Sequence, residues 1–180
     1  VTALLAADSE DPVVACPPNL TITNDPGACG AIVTFEATAT DNDAVSSLDY
    51  STPSGSLFPV GTTTVTVTAY DPAGNSDTCT FDVTVNDTEA PAVTCPGDII
   101  VQAAPGASSA TVSYGLPTVT DNCPGANVSL TGGLASGAAF PIGTTTVTYQ
   151  ATDASGNTAS CSFDVTVEET PVTALSLIHI

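Results

Sequence analysis

Hydrophobic and polar positions alternate with a period of two along much of the chain. Val65, Val67 and Ala69 alternate with Thr64, Thr66 and Thr68, and Phe81, Val83 and Val85 alternate with Thr80, Asp82 and Thr84. Successive side chains of a strand point to opposite sides, so this alternation predicts strands with one buried and one wet face. Threonine on the wet face keeps the β propensity high without adding apolar surface. "GTTTVTV" is therefore expected to be a strand, with "CTFDVTV" as its partner. Between them lies "YDPAGNSD", and later in the chain "TDASGNTA". Asp71 and Asp153 can hydrogen-bond their own following backbone there, and Gly74 and Gly156, with Asn75 and Asn157, are expected to supply positive φ, which makes a hairpin turn. No helical periodicity of useful length occurs. Short strands divided by Gly, Pro and Asn clusters predict an all-β sandwich architecture.

The same pattern is written twice. "FPVGTTTVTV" at 58–67 returns as "FPIGTTTVTY" at 140–149. Cys16 and Pro17 correspond to Cys95 and Pro96, Leu20 and Ile22 to Ile99 and Val101, Val33 and Phe35 to Val112 and Tyr114, and Cys79 and Phe81 to Cys161 and Phe163. A unit of roughly 80 residues is too long for a solenoid repeat that leans on its neighbours, and suits a small sandwich that folds alone. The expected organisation is a first sandwich over residues 8–86 and a second over 87–168, joined by a short linker. Residues 1–7 read as the end of a signal peptide or the frayed end of an upstream module. Residues 169–180 form a tail, in which "LSLIHI" (175–180) back-translates to a codon run resembling a sequencing adaptor. On that reading the chain is a fragment whose gene is cut off near Ala174, and His179 is not genuine. Finding that codon run inside an intact reading frame would sink the idea.

Charge narrows the partners. The 180 residues carry 19 Asp and Glu and no Lys or Arg, for a formal net charge of −19. An acidic disordered tail would be poor in apolar residues, whereas 42% of this chain is hydrophobic, so the material for a core is present. With no basic side chain there is nothing to neutralise phosphates, which argues against nucleic acid and anionic membrane surfaces. No run approaches the roughly 18 apolar residues needed to span a bilayer. Divalent cations suit such a surface better.

Motifs occurring in the same order in both halves resemble the HYR (hyalin repeat) domain. They are a Cys-Pro after an acidic, Pro-containing lead ("DPVVACP", "APAVTCP"), then "TDN", "FPxGTTTVT", "DxxGN" and "CxFDVTV", spanning residues 8–168. The resemblance implies two tandem immunoglobulin-like β-sandwiches that are non-enzymatic, extracellular and associated with cell adhesion, with a cell-surface, matrix or glycan partner. Bacterial secreted proteins carry such modules in tandem, and this chain looks more like those. The family often shows four cysteines. The first copy keeps Cys29 but has Asp43 where the third would fall, and the second keeps Cys123 but has Ser108 where the second would fall. If the outer cysteines pair, each copy has lost one partner of the same inner bond, so the resemblance implies Cys16 with Cys79 and Cys95 with Cys161. Each bond would close a loop worth about 4 kcal/mol in loop-closure entropy. Small sandwiches have thin cores and benefit from such staples in an oxidising compartment. Cys29 and Cys123 are then expected to be unpaired, either as partly buried remnants or as thiols that bond another chain.

Candidate chemistry is sparse. With His179 discounted, no His or Lys is available as a base beside a Ser, Thr or Cys nucleophile, and a triad is excluded. The acids fall at turns and on wet strand faces with no expected cleft between them, so paired-carboxylate hydrolysis is not expected either. No C-x-x-C or H-x-x-x-H occurs, which argues against zinc and iron. Calcium is a hard cation satisfied by oxygen ligands. Asp41 and Asp43 in "DND", Asp121 in "TDN", and the linker acids Asp87 and Glu89 are candidates for a weak calcium site near the junction of the two units. The alternative is that these acids serve turns and solvation alone. Sequons stand at Asn19, Asn86 and Asn127. Phe35, Phe81, Tyr114, Tyr149 and Phe163 lie in strand patterns and read as core, leaving Tyr50 as the main loop aromatic. That favours a stalk or spacer over the alternative, a carbohydrate- or protein-binding accessory module of a secreted protein such as a hydrolase.

Overall fold

The computed structural model describes residues 8–171. Residues 1–7, the "LSLIHI" stretch and His179 lie outside the described residues. The chain divides into two compact units, Val1–Thr88 and Glu89–Ile180. All regular structure among the described residues is β.

The first unit contains β1 (Val13–Ala15), β2 (Leu20–Thr23), β3 (Gly30–Val33), β4 (Thr38–Thr40), β5 (Ser47–Tyr50), β6 (Ser56–Pro59), β7 (Gly61–Tyr70) and β8 (Ser76–Asn86). The second repeats the order with β9 (Ala92–Thr94), β10 (Ile99–Gln102), β11 (Ser109–Val112), β12 (Thr118–Thr120), β13 (Asn127–Gly132), β14 (Ala138–Pro141), β15 (Gly143–Thr152) and β16 (Thr158–Glu168). The first unit has one four-stranded sheet, β2-β8-β7-β5, and two two-stranded ones, β1-β4 and β3-β6. The second unit reproduces them as β10-β16-β15-β13, β12-β9 and β11-β14. Every pairing is antiparallel except β2 with β8 and β10 with β16, which are parallel.

The alternation read from the sequence is the burial pattern. Val65, Val67, Ala69, Phe81, Val83 and Val85 face one core, together with Val14, Val33 and Phe58 from the smaller sheets. Val147, Tyr149, Phe163, Val165, Val167, Val112 and Phe140 do the same in the second unit. Phe35 sits at the middle of the first core, with ring centroids 4.9 Å from Phe81, 5.8 Å from Tyr50 and 6.0 Å from Phe58. Tyr114 takes the equivalent place, 5.0 Å from Phe163. The outward sides of the long hairpins carry hydroxyls: Thr62 and Thr84 lie 3.0 Å apart, and Thr64 donates to Asp82 at 2.6 Å. Thr144 with Thr166 and Thr146 with Asp164 repeat this at 3.0 and 2.7 Å.

Two expectations change. Tyr50 is half-buried at the end of β5, with its hydroxyl accepting from the Ala37 amide, and is not a loop aromatic. Asn75 and Asn157 do not take positive φ. Gly74 (φ 96°) and Gly156 (φ 92°) make the left-handed step alone, since a residue without Cβ meets no steric cost there. The asparagine side chains are thereby left to hydrogen-bond.

Candidate metal centre

Each copy of the repeated motifs supplies three aspartates, from three separate loops. Asp8, Asp41 and Asp71 form the first group and Asp87, Asp121 and Asp153 the second, with one ligand oxygen from each residue within 4.8 Å of the other two. Asp8 and Asp87 belong to the acidic leads ahead of β1 and β9. Asp41 and Asp121 follow β4 and β12 in "TDN", while Asp71 and Asp153 open the β7–β8 and β15–β16 hairpin turns.

Local hydrogen bonds orient each carboxylate. At the first hairpin Asp71 Oδ1 accepts from the Gly74 and Asn75 amides at 2.6 and 2.8 Å, and Oδ2 from the Asn75 side-chain amide at 2.6 Å. The Asn75 amide group also donates to the carbonyls of Glu10 and Asp8, at 3.1 and 3.4 Å, which ties the incoming chain to the hairpin and brings Asp8 beside Asp71. Asp41 Oδ2 accepts from the Asp43 and Ala44 amides at 3.0 and 3.1 Å. Asp8 Oδ1 accepts from the Glu10 amide and the Asn42 side chain, both at 3.2 Å. The second group repeats the design. Asp153 Oδ1 accepts from the Ser155 and Asn157 amides at 2.9 and 2.8 Å, Asp153 Oδ2 from the Asn157 side chain at 2.8 Å, and Asp121 Oδ2 from the Cys123 amide at 2.9 Å.

The second oxygens behave differently. Asp8 Oδ2, Asp41 Oδ1 and Asp121 Oδ1 are buried and meet no hydrogen-bond donor. Asp71, Asp87 and Asp153 are 4%, 8% and 5% exposed, whereas Asp8, Asp41 and Asp121 are half-buried. Burial pushes the Asp71 and Asp153 carboxyls up. The Asn75 and Asn157 side chains and the turn amides outweigh it and hold both below the ordinary carboxylate value, so both are ionised at neutral pH.

Of the acids picked out from the sequence, Asp41, Asp87 and Asp121 enter these groups, whereas Asp43 and Glu89 are exposed and join no such group among the described residues. Asp43 contributes its backbone amide to Asp41 instead of its carboxylate to the cluster. Asp8, Asp71 and Asp153 were missed as ligand candidates. The signal was present, because all three recur at matching places in the repeated motifs, but the last two were fully accounted for as turn formers.

The cysteines bear on the same scaffold. Cys16 is joined to Cys79 and Cys95 to Cys161, with Cα atoms 5.8 and 5.7 Å apart. The expectation that Cys29 and Cys123 are unpaired is corrected: both are disulfide-bonded, and no described cysteine is free. Losing the equivalent cysteine to Asp43 or Ser108 does not leave the survivor reduced, since in an oxidising setting a thiol remains exchangeable until it is paired.

The HYR domain profile matches residues 7–85 and again 86–167. The chain belongs to the HYR domain family. Hyalin from Strongylocentrotus purpuratus is 43% identical over 147 residues, covering 79% of this chain and 12% of that protein. Hyalin from Lytechinus variegatus is 39% identical over 174 residues, covering 93% of this chain and 33% of that protein. The serine-rich adhesin for platelets of Staphylococcus aureus is 35% identical over 135 residues, covering 66% of this chain and 6% of that protein. The chain thus spans a third or less of the length of each of these relatives. As a tandem HYR pair it is an extracellular, adhesion-type module. No helix among the described residues is long and apolar enough to cross a membrane.

Proposed function

We propose that this HYR pair is a non-catalytic spacer that carries tension and sets distance in a longer extracellular protein. The observation that supports it is where each disulfide sits. Cys16 lies just after the first strand of its unit, and Cys79 lies in the last. Tension entering ahead of Cys16 can cross the disulfide to β8 and leave, so that the 63-residue separation between the two cysteines is bypassed. Cys95 and Cys161 give the second unit the same short circuit over 66 residues. A covalent bypass resists a pulling force where a hydrogen-bonded ladder alone would yield.

The side-chain inventory agrees. Of the nine aromatics, Tyr70 is the exposed one, at 38%, and the others support the cores. A sugar-binding platform would present several aromatics together on loops. The acid groups contain no histidine, lysine or cysteine that could act as nucleophile or base beside them. The test is to tether the full chain by its ends and extend it under oxidising conditions. A spacer stays short and recovers its length through repeated cycles. An extension equal to the whole contour length would refute the bypass, and a strong, specific hit on glycan or extracellular-protein arrays would put recognition in place of spacing.

A further inference from the structure

We infer that Asn19, Asn86 and Asn127 are acceptors for asparagine-linked oligosaccharide, added where the chain is exported through a secretory pathway that holds a lipid-linked oligosaccharide donor. This goes beyond the spacer reading and does not depend on it; it needs only the extracellular placement of the module.

Three observations converge. An Asn-x-Ser/Thr run whose middle residue is not proline is the acceptor motif of exported proteins, and it works only at the surface. It stands at 19–21 as "NLT", at 86–88 as "NDT" and at 127–129 as "NVS". The asparagine and the hydroxyl residue of every one of these runs are exposed. Second, the asparagines divide by what the side-chain nitrogen does. Outside the motifs each one is committed to the fold: Asn24 Nδ2 donates to the Asp25 and Ala28 carbonyls, both at 3.2 Å, Asn42 to Asp8 Oδ1 at 3.2 Å, Asn75 to Asp71 Oδ2 at 2.6 Å, Asn122 to the Cys123 sulfur at 3.8 Å and Asn157 to Asp153 Oδ2 at 2.8 Å. In Asn19, Asn86 and Asn127, Nδ2 meets no hydrogen-bond partner among the described residues. The motif thus falls on the asparagines whose nitrogen the fold does not use, and on no others. Third, Asn19 shows how a modified asparagine keeps a structural role. Its Oδ1 accepts from the Asp82 amide at 2.9 Å, and in the second repeat Asp98 Oδ1 accepts from the Asp164 amide at the same 2.9 Å. The fold requires only an oxygen there, and the first repeat supplies it on a residue whose nitrogen is left in water.

The transfer joins Nδ2 to the anomeric carbon of the donor's first sugar and breaks that carbon's bond to the diphosphate of the lipid carrier, which leaves with the bonding electrons. The amide gives up one proton and keeps the other. Oδ1 retains its lone pairs, so the bond from Asp82 to Asn19 survives. β2 and β13 are outer strands of their four-stranded sheets, with Asn19 directly ahead of β2 and Asn127 opening β13. Sugar at these places covers rows of unpaired backbone groups that are otherwise open to edge-to-edge pairing.

The full chain would be secreted, behind an added export leader, from a eukaryotic host whose secretory pathway holds the lipid-linked donor. T21A, T88A, S129A and the triple variant would be secreted beside it; they remove each motif's hydroxyl and keep its asparagine. Peptide-N-glycosidase leaves aspartate where sugar was attached, so peptide mass mapping after its action reads each position separately. Expected are three glycans on the wild type, two on each single variant with the loss at the matching asparagine, and none on the triple variant. The folded, disulfide-bonded wild type should release all its sugar without denaturant, because the three side chains face water. Wild type and triple variant should also be secreted in similar yield, with the wild type melting no lower, since glycosylation costs the fold no hydrogen bond of Nδ2. A wild type with fewer than three glycans would overturn the inference, as would sugar persisting in the triple variant. Sugar released only after unfolding, or a triple variant that melts clearly above the wild type, would also overturn it, because either result puts the modified nitrogens inside the packing.

Discussion

Reducing the disulfides should lengthen the fully stretched chain by an amount that follows from residue positions alone. With Cys16 joined to Cys79, a separation of 63 residues collapses to a Cα–Cα span of 5.8 Å. An extended chain covers at most about 3.3–3.6 Å per residue, so reduction should release about 200–220 Å from the first repeat. The separation of 66 residues between Cys95 and Cys161, spanned by 5.7 Å, gives about 210–230 Å from the second by the same rise per residue. The full chain, tethered by its ends and stretched to high force, should therefore be about 410–450 Å longer in reductant than without it. This comparison of contour lengths holds whether or not the reduced repeats remain folded, which matters because each closed loop is worth about 4 kcal/mol. If the reduced units do stay folded, β2 and β8 run parallel, so tension at the start of one and the end of the other shears the ladder and loads its hydrogen bonds together. Equal contour lengths with and without reductant would refute the bypass.

Other consequences are directly measurable. Phe58 is fully buried, and Phe58→Ala should cost about 3–5 kcal/mol in denaturant titration; a loss below about 1 kcal/mol would contradict its place in the core. A Cβ on Gly30 would lie 2.4 Å from the Phe58 carbonyl oxygen across β3–β6, so Gly30→Ala must part those strands and should destabilise by about 1–3 kcal/mol. The Tyr114 hydroxyl donates to the Leu134 carbonyl, and Phe35 fills the corresponding place in the first repeat without a hydroxyl. Tyr114→Phe should thus fold normally and lose about 1 kcal/mol. Asp71 and Asp153 sit below their ordinary value of 3.8, so between that value and their folded one the unfolded chain binds more protons. Their contribution to stability should be present above pH 3.8 and fade as pH falls below it. Calcium-free urea midpoints should show that slope weakened in N75A/N157A, and an unchanged slope would dissociate the asparagines from the effect.

The alternation of Val with Thr, the twofold writing of one unit and the Asp-Gly-Asn turns are local signals, and each could be read from neighbouring letters. Strand period, pairing of the two long strands and hairpin position follow from side-chain direction and backbone sterics, which act over a few residues. The family resemblance added the sandwich class and a cysteine pairing that spacing alone leaves open. What the letters could not decide is which distant segments meet. Asp8, Asp41 and Asp71 look like a lead acid and two turn formers until folding carries their loops to one end of the unit. Only then do their carboxylates become neighbours, with one oxygen each of Asp8 and Asp41 buried and lacking a donor. Asp43 stands two residues from Asp41 and was an equal candidate, yet its side chain faces water. The bonded state of Cys29 and Cys123 was likewise hidden from a repeat-by-repeat comparison. Local sequence determined the strands and turns because their energetics are short-ranged; the carboxylate groups belong to tertiary structure, because mutual proximity and exclusion of water are properties of the folded packing.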